Sequence, residues 1–109
     1  MLTRKTPTTL ATAITITGQG EDIKFNATFR NRTQDEIDAK FKELTESETG
    51  KQDATWVNRQ MALYLIESME TEYPVTDEGF NEMEQDRPGL MEALFYAYHK
   101  ARKVELAKN

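Results

Sequence analysis

Residues 14–30 read ITITGQGEDIKFNATFR and contain the clearest indication of the fold. Apolar and polar side chains alternate along its two halves, and Gly18 and Gly20 between them tolerate the positive φ angles of a tight turn. The apolar positions are Ile14, Ile16, Ile23, Phe25, Ala27 and Phe29. A period of two with one apolar face predicts an antiparallel hairpin that buries one face and exposes the other.

The chain has 109 residues, which is a usual length for a single domain. Residues 1–12, which are rich in threonine, are predicted to be a flexible arm or an edge strand. We expect residues 13–109 to form a single domain.

Helical patterns follow the hairpin. Thr33 and Glu36 have the spacing of a capping box, and the first predicted helix carries Ile37, Phe41 and Leu44 on one side. Residues 47–53 interrupt the pattern and are predicted to be a loop.

A second helix is predicted from Asp53 to about Met69, before Pro74. Thr76 is expected to cap a short third helix, and Asp86 a fourth helix with Pro88 in its first turn. A hairpin followed by helices indicates an α+β fold, in which the hairpin packs on a bundle of about four helices and a third, edge strand is left open. A two-stranded sheet is marginal alone, so the second or fourth helix is expected to cover it.

Each large buried side chain contributes ~1.5–3 kcal/mol, so the predicted core can be stable without every apolar residue of the chain. It comprises Ile14, Ile16, Ile23, Phe25, Phe29, Ile37, Phe41, Leu44, Val57, Met61, Leu65, Leu90 and Leu94.

Composition argues against most catalytic chemistry. The chain has no cysteine, which excludes disulfides and thiolate catalysis, and its one histidine, His99, has no evident orienting partner. No acidic pattern matches a calcium loop, so neither metal nor cofactor is expected. We therefore predict a protein that is not an enzyme. Without an apolar run of membrane-spanning length or a signal peptide, a cytoplasmic location is expected.

Charge is distributed unevenly along this chain of net charge −5. Eight acidic residues and no Lys or Arg lie between Glu67 and Asp86. Such a band repels phosphate backbones and argues against nucleic-acid binding. It is interpreted as a solvated face, with a docking site for a basic partner as the alternative.

The fourth predicted helix has more aromatic residues than the core requires. Leu90, Ala93, Leu94, Ala97 and Ala101 are expected to close the core. Aromatic, Met and Arg side chains grouped on a helix are typical of interaction surfaces, although they can equally complete a core. The candidate partner-binding residues are Met91, Phe95, Tyr96, Tyr98 and Arg102, together with Trp56 on the second helix.

Two segments resemble the tail assembly chaperones of long-tailed phages. The segment YPVTDEGF, residues 73–80, is similar to the proline-led entry to a small helix in that family. The segment RPGLMEALFYAY, residues 87–98, is similar to its closing helix, and the short basic tail ending in Lys108 and Asn109 is also similar. The resemblance covers most of the chain as a pattern, without one diagnostic motif.

The resemblance implies an assembly factor that binds the tape measure protein, keeps it soluble and promotes polymerisation of the tail tube protein around it. Such a factor acts in the bacterial cytoplasm and is absent from the mature virion. Two alternatives are a tail-completion or tube-associated structural protein and a small nucleic-acid-binding regulator. Homo-oligomerisation is left open.

Overall fold

The computed structural model describes residues 1–107, which form one three-stranded antiparallel sheet and five helices. In chain order these elements are β1 (Thr9–Gly18), β2 (Glu21–Arg30), α1 (Gln34–Glu46), α2 (Glu48–Gln52), α3 (Ala54–Leu65), β3 (Ile66–Met69), α4 (Asp77–Asp86) and α5 (Leu90–Arg102). The predicted α+β class is confirmed. Lys108 and Asn109 of the predicted basic tail lie outside the described residues.

The predicted hairpin is formed by β1 and β2. Ile14 lies opposite Phe25 and Ile16 opposite Ile23, so the apolar positions of both strands share one face. The two-residue loop has positive φ at both positions, 53° at Gln19 and 79° at Gly20. This geometry suits the twist of a two-residue hairpin.

The third strand comes from a segment that was predicted to be helical. The second predicted helix ends at Leu65, not at Met69, because Ile66–Met69 pairs with β2 in the sheet order β1-β2-β3. Arg30 on β2 supports this helix end, since its Nη1 donates to the carbonyl oxygens of Leu63 at 3.2 Å and Ile66 at 2.9 Å. The end of the segment 1–12 is also a strand, since β1 begins at Thr9.

The capping box of α1 is confirmed. Thr33 Oγ1 accepts a hydrogen bond from the Glu36 N–H at 3.1 Å, and a Glu36 carboxylate oxygen accepts one from the Thr33 N–H at 2.9 Å. The backbone hydrogen bond from Thr33 is the main cause that lowers the pKa of Glu36 below its usual value of 4.5.

The predicted loop at residues 47–53 is wrong in its centre, where Glu48–Gln52 forms α2. Ser47 caps this short helix, because its Oγ accepts a hydrogen bond from the Gly50 N–H at 3.0 Å. The next helix starts as predicted, with Asp53 Oδ1 accepting from the Trp56 N–H at 3.0 Å.

The connection from α4 to α5 differs from the prediction. Thr76 caps α4 as expected, but Asp86 is the last residue of α4 and does not cap α5. The N-cap of α5 is Gly89, at φ 96°. The carboxylate of Glu84 accepts hydrogen bonds from the N–H groups of Gly89 at 2.8 Å and Met91 at 3.1 Å, two donors at the start of α5. The Asp86 carboxylate instead accepts a hydrogen bond from the Tyr73 hydroxyl at 2.6 Å.

The core lies between the sheet and the helices, and the molecule is only 19 Å deep along its shortest axis. Nine of the predicted core residues are buried, and Ile16, Ile23 and Ile37 are half-buried. Phe41 contradicts the prediction, since 50% of it is exposed on α1. The main cluster gains buried residues that were not in the predicted core, namely Ala27, Ala62, Ile66, Phe80, Met83, Met91 and Tyr98.

A second, smaller cluster joins α1 to α3. It consists of Leu44, Val57 and Met61, with Ile37, Trp56 and Phe95 packed against it. Within residues 1–107, no helix is both long and apolar enough to span a membrane.

Candidate partner-binding surface

Helix α5 positions five of the six candidate partner-binding residues, and α3 positions the sixth, Trp56. Helix α5 packs against β1 on one side and against α3 and α4 on its other sides. Because a helix turns 100° per residue, its candidate residues point in different directions. The structure therefore does not gather them on one surface.

Tyr98 is fully buried, which contradicts its assignment to a partner surface. Its ring packs edge-on against Phe29, with ring centroids 5.4 Å apart. Its hydroxyl accepts a hydrogen bond from the Arg32 N–H at 3.1 Å and donates one to the Arg32 carbonyl oxygen at 3.2 Å. Tyr98 thus joins α5 to β2 and to the connection that follows β2.

Met91 is also buried in the main cluster, so this second assignment is wrong for the same reason. It lies seven residues before Tyr98, on the same side of the helix. The two side chains complete the core, which was the alternative interpretation of the aromatic-rich helix.

Arg102 is exposed at the last position of α5, and its Nε donates to Asn31 Oδ1 at 3.0 Å. Asn31 in turn donates to the Pro7 carbonyl oxygen at 2.8 Å. A cation at a helix C-terminus also interacts favourably with the helix dipole. Arg102 therefore has a structural role at this end of the helix.

Phe95 and Trp56 are half-buried and pack with Ile37 against the second cluster. Phe41 belongs to the same apolar stripe of α1, between Ile37 and Leu44, and is half exposed. We call these four residues the aromatic surface, to which Phe41 is assigned by its place in the α1 stripe and Ile37, Trp56 and Phe95 by their packing on the second cluster. It takes side chains from three helices, and the sequence pattern missed Phe41 because helical spacing alone assigned that residue to the core.

Tyr96 lies about 100° around α5 from Phe95, and 69% of its surface is exposed. It borders an open cleft of about 760 Å³ between α5 and β1. The cleft is lined by Thr12, Ala13, Ile14 and Thr15 of β1, by Gly89, and by Glu92, Ala93, Tyr96, Ala97, Lys100 and Ala101 of α5. Sequence reasoning did not predict this cleft, because it depends on where the two elements lie relative to each other.

A second opening, of about 360 Å³, lies between the hairpin turn and the start of α5. Its charged groups are already paired. Arg87 Nη1 lies 3.2 Å from Glu21 Oε2, and Gln19 Nε2 donates to the Asp86 carbonyl oxygen at 3.0 Å. These contacts attach the hairpin turn to the α4–α5 connection.

The titratable groups form no apparent metal site, since residues 1–107 contain no group of three or more His, Asp or Glu side chains arranged to hold an ion. His99 is exposed, and its ring lies edge-on to the Tyr98 ring, with the ring centroids 5.4 Å apart.

Arg32 lies over the Tyr64 ring, 4.0 Å from its centroid, and donates to the Tyr64 carbonyl oxygen at 3.3 Å. This arginine stabilises the end of α3, where exposed carbonyl groups need donors.

No protein-family model, curated protein or solved structure matches the chain.

Proposed function

We propose that the chain is a non-enzymatic phage tail assembly chaperone that binds the tape measure protein, keeps it soluble and promotes assembly of the tail tube. The single observation that carries the proposal is the aromatic surface, where Phe41, Trp56 and Phe95 from three helices are only partly covered. The family-like segments at residues 73–80 and 87–98 supply the choice of partner.

An amphipathic helix is the kind of ligand that such a surface suits. Its apolar side chains, spaced at three and four residues, would cover the exposed ring of Phe41 and the exposed parts of Trp56 and Phe95. Met61 lies beneath this surface in the second cluster. A flexible Met side chain adapts to different apolar ligands, which favours a partner made of many similar helices.

The acidic band between Glu67 and Asp86 lies on other elements than the aromatic surface. The acidic residues between Glu67 and Asp86 belong to β3, α4 and the segment that joins them, whereas the aromatic surface belongs to α1, α3 and α5. Net negative charge away from the contact favours solubility of a complex with an aggregation-prone chain.

Co-expression with the tape measure protein encoded by the same phage tests the proposal. The wild-type chain should raise the soluble fraction of that protein and co-purify with it. Phe41→Glu should abolish both effects without unfolding the chaperone, because Phe41 is half exposed. Val104→Glu is the matched control, since Val104 is exposed beyond the end of α5.

Failure of the wild-type chain to co-purify or to raise solubility would contradict the proposal. Equal losses with Phe41→Glu and Val104→Glu would place the contact elsewhere. Stoichiometric amounts of the chain in mature virions would favour the structural-protein alternative, and salt-sensitive retention on DNA or RNA would favour the nucleic-acid alternative.

A further inference from the structure

Strand β1 has an edge that no other strand of residues 1–107 covers. The sheet order β1-β2-β3 pairs β1 on one side only, over ten residues from Thr9 to Gly18. At roughly 3.3 Å per residue this edge is about 33 Å long. It contains neither a charged residue nor a proline. Long uncharged edges are templates for pairing with another chain.

The hydrogen-bond pattern shows which backbone groups face this edge. The Asn31 N–H donates to the Thr8 carbonyl oxygen at 3.0 Å, which continues the register in which Thr9 lies opposite Arg30. In an antiparallel ladder, hydrogen-bonded pairs alternate with pairs that are not hydrogen-bonded. Because Thr8 belongs to a hydrogen-bonded pair, the even-numbered residues of β1 also bond to β2. The odd-numbered residues direct their N–H and carbonyl groups to the free edge; these residues are Thr9, Ala11, Ala13, Thr15 and Thr17.

The other edge of the same sheet is protected. Strand β3 has only four residues, includes Glu67, and pairs with β2 through an irregular register. Beyond it, a carboxylate oxygen of Glu70 accepts a hydrogen bond from the Asn26 N–H at 3.0 Å. Short, irregular and charged edges resist pairing with other chains. The two edges of the sheet are therefore not equivalent.

Helix α5 runs antiparallel to β1 beside the free edge. Gly18 and Pro88 line one end of this region, whereas Thr12 and Ala101 line the other. Glu92, Tyr96 and Lys100 of α5 all border the cleft and are all exposed. They are spaced by four residues, with opposite charges on either side of the tyrosine.

This arrangement is complementary to itself under a two-fold rotation. If β1 pairs antiparallel with a second β1 around Ala13, Thr9 lies opposite Thr17 and Ala11 opposite Thr15, and no charged side chains meet within the strands. The same rotation reverses the direction of α5, so Glu92 faces Lys100 of the second copy and Lys100 faces its Glu92. An isologous interface requires such matching of one patch with itself.

We propose that two copies of the chain associate through β1, centred on Ala13, to form a continuous six-stranded sheet with reciprocal Glu92–Lys100 pairs between the α5 helices. The interface uses a different side of α5 from the one that carries Phe95 of the aromatic surface. It is independent of the proposed function, and its test uses the chain alone.

Amide hydrogen exchange at two concentrations tests the backbone part of the proposal without any substitution. At about 100 µM, in the usual range for weak self-association, the N–H groups of Ala13 and Thr15 should be protected, and dilution should remove that protection. The N–H groups of Ile14 and Ile16 are the internal control, because they bond to β2 at every concentration. Fast exchange of Ala13 and Thr15 at both concentrations, with a monomeric mass in sedimentation, overturns the proposal.

A charge exchange tests the α5 contact. Glu92→Lys and Lys100→Glu should each raise the dimer dissociation constant about tenfold, because each turns two exposed ion pairs into two like-charged pairs. The double variant Glu92→Lys/Lys100→Glu should return to the wild-type value. A double variant as weak as the single variants overturns the proposed register.

Ala13→Lys gives a third test by placing two lysines side by side at the two-fold axis. Because Ala13 is exposed, the monomer should keep its circular dichroism spectrum and lose dimerisation. Ser68→Lys adds the same charge to exposed Ser68 on the opposite edge strand and should leave the dimer unchanged. A dimer that survives Ala13→Lys would refute the interface.

Discussion

Tyr96 and Tyr98 differ by two positions in one helix and have opposite environments. Tyr98 is fully buried, packs against Phe29 and bonds to both backbone groups of Arg32 through its hydroxyl. Tyr96 is 69% exposed and borders the cleft beside β1. The side of α5 that contains Tyr98 stabilises the fold, and the side that contains Tyr96 is exposed to solvent.

The difference comes from the rest of the chain, since the two residues are chemically identical. Tyr98 lies on the side of α5 that faces the main cluster, where Leu94 and Met91 are also buried. A buried tyrosine needs a partner for its hydroxyl, and Arg32 supplies both a donor and an acceptor. Residue type alone therefore does not separate an interaction residue from a core residue.

The largest expected effect is the loss of the Tyr98 side chain. Tyr98→Ala should lower the free energy of unfolding by about 3–5 kcal/mol, because it leaves a cavity in the main cluster. Tyr98→Phe keeps the ring but leaves the Arg32 N–H without its partner, and should cost about 1–3 kcal/mol. Urea unfolding followed by circular dichroism measures both values. A cost below about 1 kcal/mol for Tyr98→Ala would contradict the buried position.

A smaller effect is expected at the start of α5, which Glu84 caps from the preceding helix. Glu84→Ala should cost about 1 kcal/mol, as the loss of a helix cap typically does. Glu82→Ala on the same helix is the control, since exposed Glu82 should change stability by less than about 0.5 kcal/mol. Equal costs at the two positions would show that the carboxylate of Glu84 does not hold the helix start.

Acid should destabilise the start of α1, where Glu36 takes part in the capping box. The pKa of Glu36 is lowered mainly by the backbone hydrogen bond from Thr33 and then by its hydroxyl, with smaller contributions from Arg32 and Arg102. A carboxyl group with a lowered folded pKa stabilises the protein above its unfolded value, near 4.5, and this contribution is lost as pH falls through the folded pKa.

Unfolding free energies measured between pH 7 and pH 3 should therefore fall more steeply for the wild-type chain than for Glu36→Gln. Glu46→Gln, an exposed position on the same helix, should follow the wild-type curve. Identical slopes for wild type and Glu36→Gln would remove Glu36 from the acid response.

The smallest effect on folding is expected at Tyr96. Tyr96→Ser should change the free energy of unfolding of the monomer by less than about 0.5 kcal/mol, since most of the ring already contacts solvent. The measurement needs protein concentrations at which the chain is monomeric. A loss comparable to that of Tyr98→Ala would remove the distinction between the two sides of α5.

The sequence predicted those elements whose signals are local. Alternation at Ile23, Phe25 and Phe29 identified β2, and the side chains of Thr33, Asp53 and Thr76 identified three helix starts, all of which are confirmed. These signals depend on neighbouring residues along the chain, so no tertiary information was needed.

The errors occurred where distant contacts decide the structure. Ile66–Met69 has apolar residues that suit a helix, yet it pairs with β2, and Arg30 satisfies the carbonyl groups at the end of α3. Asp86 is a favourable N-cap residue, but it ends α4, and the side chain of Glu84 bonds to the start of α5 instead. Propensity is a weak guide where tertiary pairing competes with it.

The candidate site was predicted only in part. The sequence identified α5 as the helix with surplus aromatic residues, and Tyr96 stays a prediction as a contact residue. It could not separate Tyr96 from Tyr98, because that separation depends on Phe29 and Arg32, more than 60 positions away along the chain. Of the aromatic surface, the sequence proposed Trp56 and Phe95 as contact residues but missed Phe41, since helical spacing placed Phe41 in the core.

Hydroxyl-radical footprinting of the native, dilute protein tests the division of α5 most directly, because it reports the exposure of each tyrosine in one experiment. Tyr96 should be oxidised readily in the folded protein, whereas Tyr98 should be oxidised only under unfolding conditions. Oxidation of Tyr98 in the folded protein at a rate close to that of Tyr96 would contradict the account.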